Sequence, residues 1–315
     1  MLLNLDDGSL FLPLRFETQS QRQAYASIQN AKTVVKKIYV IIPFRNRLDL
    51  TKKCFDSVLN QKFAGALEII LIDHLSIDQD CLVWSQKISS LKGVRVIRKD
   101  YPYNYSRLNN DGFKSIESPD ENDLVLFLNN DVELNTRDTL SRLSDTYQKI
   151  DGIGALGCTL LFPNGRIQHL FAAPGVKIVA AHPLKNAIFN PNLLWFNCAR
   201  PVAAVTGACC MISVQNFKAA AMFDENLPTL GQDIDLCLKL QKLGKVNWVA
   251  SSVVNIHYEG ATKSKTLNKR EVEYMYSKWG EFLVYNPFFS RRFSRWSEQP
   301  TLAFGEGVYP WKLRL

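Results

Sequence analysis

The chain has 315 residues, 46% of them hydrophobic and 22% charged, and carries a formal net charge of +8. That balance fits a folded protein with a substantial core and excludes a disordered or fibrous one. No apolar run is long enough to span a bilayer, and the opening MLLNLDDGSLFLPLRF has early acids and no basic start, so a secretory signal is not expected.

Residues 1–35 lack strong periodicity and read as an extension. KKIYVIIP (36–43) is rich in β-branched residues and predicts a strand. DLTKKCFDSVLNQ (49–61) places Leu50, Cys54, Val58 and Leu59 on one helical face. LEIILID (67–73) predicts a second strand, residues 82–91 a helix, VRVIRKD (94–100) a third strand, residues 106–118 a helix, and DLVLFLNND (123–131) a fourth strand. Strands and helices alternating at this spacing imply an α/β fold with a mostly parallel sheet flanked by helices. Such sheets bind ligands beyond the carboxyl ends of their strands. Here those ends carry Pro43, Phe44, Arg45 and Asn46, then Asp73 and His74, then Asp100 and Tyr101, then Asn129, Asn130 and Asp131.

The second half is less regular. After a helix near 139–150 come the apolar runs GALGCTLLF, VTGACCMISV and VNWVASSVVNIH, interrupted by the helix DIDLCLKLQKLG. GIGALG (152–157) matches G-x-G-x-x-G, the pattern of a dinucleotide loop. Such a loop must follow a strand and open a helix, with an acid about 20 residues on. This one follows a helix, opens an apolar strand and has no such acid, so its glycines are expected at a helix-to-strand turn. Seven cysteines, none in C-x-x-C spacing and mostly in apolar runs, read as buried reduced thiols of a cytoplasmic protein.

Asp131 at a strand end, Asp233 and Asp235 at a helix start, and His257 ending SVVNIH are the candidate chemical groups. Each also has a plain structural reading: a turn residue, a helix cap, a packed histidine. IIPFRNR, LIDHLSID, YNYSRLNNDGF, FLNNDVEL, GCTLLFPNGRIQH, PVAAVTGACCM, GQDIDLCLKLQKLG and HYEGATK occur in this order. In that order they resemble family 2 glycosyltransferases, and most of all the rhamnosyltransferase-like enzymes of bacterial O-antigen and capsule synthesis.

The resemblance implies a GT-A fold, with a Rossmann-like nucleotide-binding half and an acceptor-binding half, over residues 36–262. It implies inverting, metal-dependent transfer of a sugar from a nucleotide-diphospho-sugar to a glycan or lipid-linked glycan acceptor, at the cytoplasmic side of the membrane. By the resemblance, Asp131 and His257 hold Mn2+ or Mg2+ and Asp233 is the general base. Asp73 faces the nucleobase, with Pro43, Arg45 and Asn46 beside base and ribose. Arg107 or Asn109 faces the diphosphate, next to Asn130 and Asp131. Inversion needs a base that takes the acceptor proton, and a pyrophosphate leaving group needs its charge neutralised.

The chain departs from the family pattern at several points. Asn129-Asn130-Asp131 offers one carboxylate, Gln232 stands where Glu is usual, His74 where Asn is usual, and Ala203 where Asp is usual. The first two leave a sugar-nucleotide-binding protein with weak or lost catalysis as an alternative; an NAD-dependent oxidoreductase is a further one. Residues 263–315 form a basic, aromatic tail with ten Lys or Arg against five Glu. Its rings are expected to pack on the domain and its arginines to stay solvated. An anionic membrane surface is the other partner that its charge suits. No nucleic-acid motif accompanies the charge, so nucleic acid is not expected.

Overall fold

A computed structural model describes residues 3–4, 10–11, 35–193, 196–258, 268–284, 286–290 and 292–303. Most of the expected extension, the end of the HYEGATK motif and the last twelve residues lie outside the described residues.

The short strands β1 (Leu3–Asn4) and β2 (Leu10–Phe11) come first. The expected alternation follows: β3 (Lys37–Phe44), α1 (Leu48–Leu59), β4 (Ala66–His74), α2 (Gln79–Ile88), β5 (Val94–Lys99), α3 (Tyr105–Lys114) and β6 (Leu124–Leu128). β3 pairs in parallel with both β4 and β6, and β4 with β5. Helix α2 starts three residues earlier than expected because the Asp78 side chain accepts from the Asp80 N–H and caps it.

The second half builds onto the same sheet. It comprises β7 (Val132–Glu133), α4 (Thr139–Lys149), β8 (Ile153–Leu161), β9 (Ile167–His169), β10 (Ala173–Pro174), β11 (Ala180–Ala181), β12 (Cys198–Val202), β13 (Cys209–Ser213), α5 (Val214–Ala219), α6 (Gln232–Lys242), β14 (Val246–His257) and α7 (Lys269–Val284). The main sheet runs β1-β2-β12-β14-β8-β13-β6-β3-β4-β5, with β7 on β14 and β9 on β8. β13 runs antiparallel between β6 and β8, while β14 returns parallel to β8. Strands β3, β4, β5, β6, β8 and β14 therefore share one direction, and their carboxyl ends line one edge.

Side-chain alternation in β3 explains why the sheet is buried on both faces. Val40 and Ile42 join one core with Phe55, Leu126, Leu143 and Trp248. Tyr39 and Ile41 join another with Ile70, Phe127, Phe217 and Trp279. Tyr147 ties α4 to β8, β13 and α5 within the second half. Its buried hydroxyl donates to Gly154 O (2.9 Å) and accepts from Ser213 N (3.0 Å) and Asn216 Nδ2 (2.9 Å).

Gly152 adopts φ +67° in the turn after α4, while Gly154 and Gly157 lie inside β8, where a Cβ would strike Asn247 and Val205 at 2.7 and 2.8 Å. The glycines serve a turn and close packing, which removes the basis for the dinucleotide reading. All seven cysteines are free and buried.

The described part of the tail packs across residues 174–185. Asn286 donates to Pro174 O, Lys177 pairs with Glu298, and Gln299 donates to Lys185 O. Arg295, expected in solvent, is buried; it donates to Gly175 O, Leu283 O and Val284 O. Among the described residues no helix is long and apolar enough to cross a membrane.

Candidate active site

β6 is wholly buried, and the chain must turn at its end. Asn129 N–H donates to Ala208 O (2.9 Å) and Val132 N–H to Asn129 O (3.1 Å), closing a tight turn that lifts Asp131 to the sheet edge. Asn130 Nδ2 donates to Thr51 Oγ1 (2.8 Å), and Thr51 Oγ1 reaches Asn46 O (3.4 Å). Asn46 Oδ1 accepts from Ile77 N (2.8 Å) and Asp78 N (3.1 Å), and Asn46 N–H donates to Ser76 Oγ (2.8 Å). One polar network thus fastens the loops after β3, β4 and β6 to one another. Asn46 and Asn130 have framework roles in it; Pro43 and Arg45 border it, Arg45 exposed.

Asp131 Oδ1 lies 3.1 Å from His257 Nε2. β7 brings them together: it pairs with the end of β14, setting His257 opposite Val132. Both side chains are largely buried, with relative exposures of 12% and 7%. A cation with bonds of about 2.1 Å holds neighbouring ligands about 3 Å apart, so this oxygen and nitrogen fit two adjacent positions around one divalent ion. The buried Nδ1 of His257 has no hydrogen-bond partner among the described residues. No cluster of three His, Cys, Asp or Glu able to hold a metal occurs among them. The remaining ligands of an ion here would come from substrate and water.

Asp233 stands at the first turn of α6. Its Oδ2 accepts from Gly207 N (3.0 Å) and its Oδ1 from Ile234 N (2.9 Å). Tyr105 donates to Gly207 O (2.7 Å) beneath it; burial first, and Asp233's charge second, push that phenol well above its ordinary value. Gln232 is buried, and its Oε1 has no partner among the described residues. Asp235, two positions on, points away from Asp233 into the fold: it is fully buried, bonded to Trp279 Nε1 (2.8 Å) and paired with Lys278 and Lys239.

On the nucleotide side, the Asp73 carboxylate is buried and already engaged, accepting from Arg98 Nη1 and from Ser76 N (2.8 Å). Arg98 is half-exposed, so the group that meets solvent beside Asp73 is a cation. No sequence motif marks Arg98; the pairing of β4 with β5 sets it opposite Asp73. His74 Nε2 bonds to Tyr101 O (2.7 Å), and Tyr103 packs edge-on against the His74 ring at 5.6 Å.

Arg107 is exposed and stacks over Tyr101 at 4.0 Å. Asn109 is fully buried and donates to Tyr105 O (2.9 Å). Of the two candidates for a diphosphate contact, Arg107 is the one at the surface and Asn109 faces inward, since residues two apart on a helix face opposite sides. His169 and His182, which no motif assigned, bond to each other through their Nδ1 atoms (2.7 Å).

The family model "Glycosyl transferase family 2" matches residues 39–217, more than half of the chain. The chain belongs to that family. Asp233 and His257 lie beyond the matched stretch. This family 2 glycosyltransferase is 32% identical over 256 residues to an uncharacterized protein, y4gI, of Sinorhizobium fredii, covering 77% of this chain and 27% of that protein. It is 29% identical over 255 residues to the O-antigen biosynthesis protein RfbC of Myxococcus xanthus, covering 80% of this chain and 19% of that protein. The chain thus spans under a third of the length of either relative. A crystal structure of GalNAc-T7 with UDP, GalNAc and Mn2+ superposes with a TM-score of 0.60 at 16% identity, covering 79% of this chain and 49% of that one. That likeness shows the fold, GT-A.

Proposed function

We propose that this domain is an inverting glycosyltransferase that moves a sugar from a nucleotide-diphospho-sugar to a hydroxyl of a growing surface glycan. The observation that carries the proposal is the Asp131–His257 pair at the carboxyl edge of a family 2 sheet, with Asp233 bonded to Gly207 N, next to Ala208, whose carbonyl holds Asn129 N. The RfbC relative, named for O-antigen biosynthesis, supports a surface glycan as acceptor.

Asp131 and His257 would hold a divalent ion, Mn2+ or Mg2+, which when bound supplies positive charge to the departing diphosphate. Asp233 accepts the proton of the acceptor hydroxyl as its oxygen bonds to the anomeric carbon. The bond from that carbon to the diphosphate oxygen breaks, and the electron pair leaves with the nucleotide. Gly207 N–H, bonded to Asp233 Oδ2, holds the carboxylate in a fixed direction. Arg107, exposed at the start of α3, is the cation available to the diphosphate.

Donor turnover with Mn2+ or EDTA, in the parent, Asp131→Ala and Asp233→Asn, tests the scheme. Asp131→Ala should weaken nucleotide binding when Mn2+ is present and leave it unchanged in EDTA. Asp233→Asn should bind nucleotide normally and lose transfer by about 10²-fold or more. Equal loss for Asp131→Ala in EDTA, or full transfer by Asp233→Asn, would refute the assigned roles. A second reading is favoured by Gln232, whose amide replaces a carboxylate beside the base: a domain that binds sugar nucleotides and transfers slowly or not at all. Nucleotide binding without turnover in the parent would select it.

A further inference from the structure

Helix α7 follows the candidate site in sequence and contacts the segment bearing Asp233 at four points. Glu271, buried, accepts from Thr229 N (2.8 Å), Leu230 N (2.7 Å) and Thr229 Oγ1 (2.7 Å), immediately before α6. Met275 packs where Gly231, at φ +79°, starts that helix; its Cγ lies 3.1 Å from where a Cβ would stand. Lys278 Nζ sits 2.6 Å from Asp224 Oδ2 and 2.6 Å from Asp235 Oδ1, bridging the loop before α6 to its first turn. Trp279 Nε1 donates to Asp235 Oδ1.

Three of these contacts involve a buried charge. Asp235 is wholly shielded from water, so its carboxylate stays where its cations are. Burial raises the Asp224 carboxyl, but its bonds from Lys278 and Tyr274 outweigh that and hold it down at about 2. Among the described residues, the hydrogen-bond partners of Asp233 are two backbone N–H groups, from Gly207 and Ile234. Its place relative to the sheet edge is thus set by where α6 begins, and α7 fixes that.

We propose that Glu271 and Lys278 are positioning residues for Asp233, an inference that rests on Asp233 being the base. The four contacts named above do not involve β3, β4 or β6, so disturbing them should move the base and spare nucleotide binding. Misplacement of a reacting group by about 1 Å can cost about 10²-fold in rate.

The test uses the full chain with UDP, GDP and their sugar conjugates in Mn2+. Circular dichroism and thermal melting check that each variant is folded. Calorimetry gives nucleotide affinity, and released nucleoside diphosphate gives turnover. Lys278→Met and Glu271→Gln should each lower kcat by about 10- to 100-fold with nucleotide affinity within about 2-fold of the parent. Lys278→Arg, which keeps a cation between Asp224 and Asp235, should restore most of kcat. Unchanged kcat in both folded variants, or equal loss of affinity and kcat, would overturn the proposal. So would failure of Lys278→Arg to rescue a folded enzyme. If Lys278→Met does not fold, Glu271→Gln decides alone. Asp233→Asn separates the layers: an inactive Asp233→Asn beside a fully active Lys278→Met overturns the positioning only, whereas an active Asp233→Asn removes the base and this proposal with it.

Discussion

Replacing Thr51 with valine is the sharpest probe of the network that sets Asp131. Thr51 is fully buried, and valine matches its shape, so the change removes one oxygen and little else. The 2.8 Å bond from Asn130 Nδ2 is lost outright, and the 3.4 Å contact to Asn46 O was weak already. Asn130 is partly exposed and can turn its amide to water, so the full penalty of a buried orphan does not apply. The expected cost is about 1 kcal/mol of stability, read as a melting shift of a few degrees. Asn130 is covalently next to Asp131, so the same energy, if it holds the carboxylate in place, should reappear as an approximately 5-fold loss of Mn2+-dependent nucleotide affinity. Calorimetry with UDP or GDP in Mn2+ and in EDTA measures it. A Thr51→Val, Asn130→Ala double-mutant cycle isolates the coupling. Additive effects, or an equal affinity loss in EDTA, would refute the claim that this network positions Asp131.

Two further outcomes concern the frame. Tyr147→Phe should cost about 2–4 kcal/mol in urea unfolding, because Ser213 N–H and Gly154 C=O lose a buried partner, while leaving nucleotide affinity unchanged; a loss under about 1 kcal/mol would contradict the hub role. Asp224 has a folded pKa of about 2, below its ordinary value of 3.8, so its contribution is present above pH 4 and lost as the pH falls through 2. Acid unfolding of Asp224→Asn should accordingly depend less on pH in that window than the parent's, by at most about 2 kcal/mol.

Much of the nucleotide half was legible because β3, β4, β5 and β6 are short apolar runs with helical periodicity between them. The strand ends could be named before any coordinates. β13 was legible as an apolar run, but not as an antiparallel insert between β6 and β8, since nothing local encodes a pairing with residues some 85 positions away. Asp131 and His257 could be listed, but not their 3.1 Å approach, which depends on β7 pairing with the end of β14. Asn109 and Asp235 were harder to place for one shared reason. Each lies two residues from an exposed or site-facing neighbour, and only the helix orientation decides which of the two looks inward. Arg295 shows the same limit for charge: an arginine in a basic tail reads as solvated, and here three carbonyls take it inside.

The seven buried cysteines have a practical side. The thiolate is the form that reacts, and burial, aided by nearby acids, pushes Cys81 up to about 11 and Cys237 up to about 12. The folded domain should therefore ignore aqueous thiol reagents that an unfolded chain would consume. A single cysteine introduced at Ile77, 78% exposed beside the Asn46 loop, would then be the one site a fluorophore could find on the native domain. The native sequence thus serves as its own cysteine-silent background for following events at the nucleotide edge.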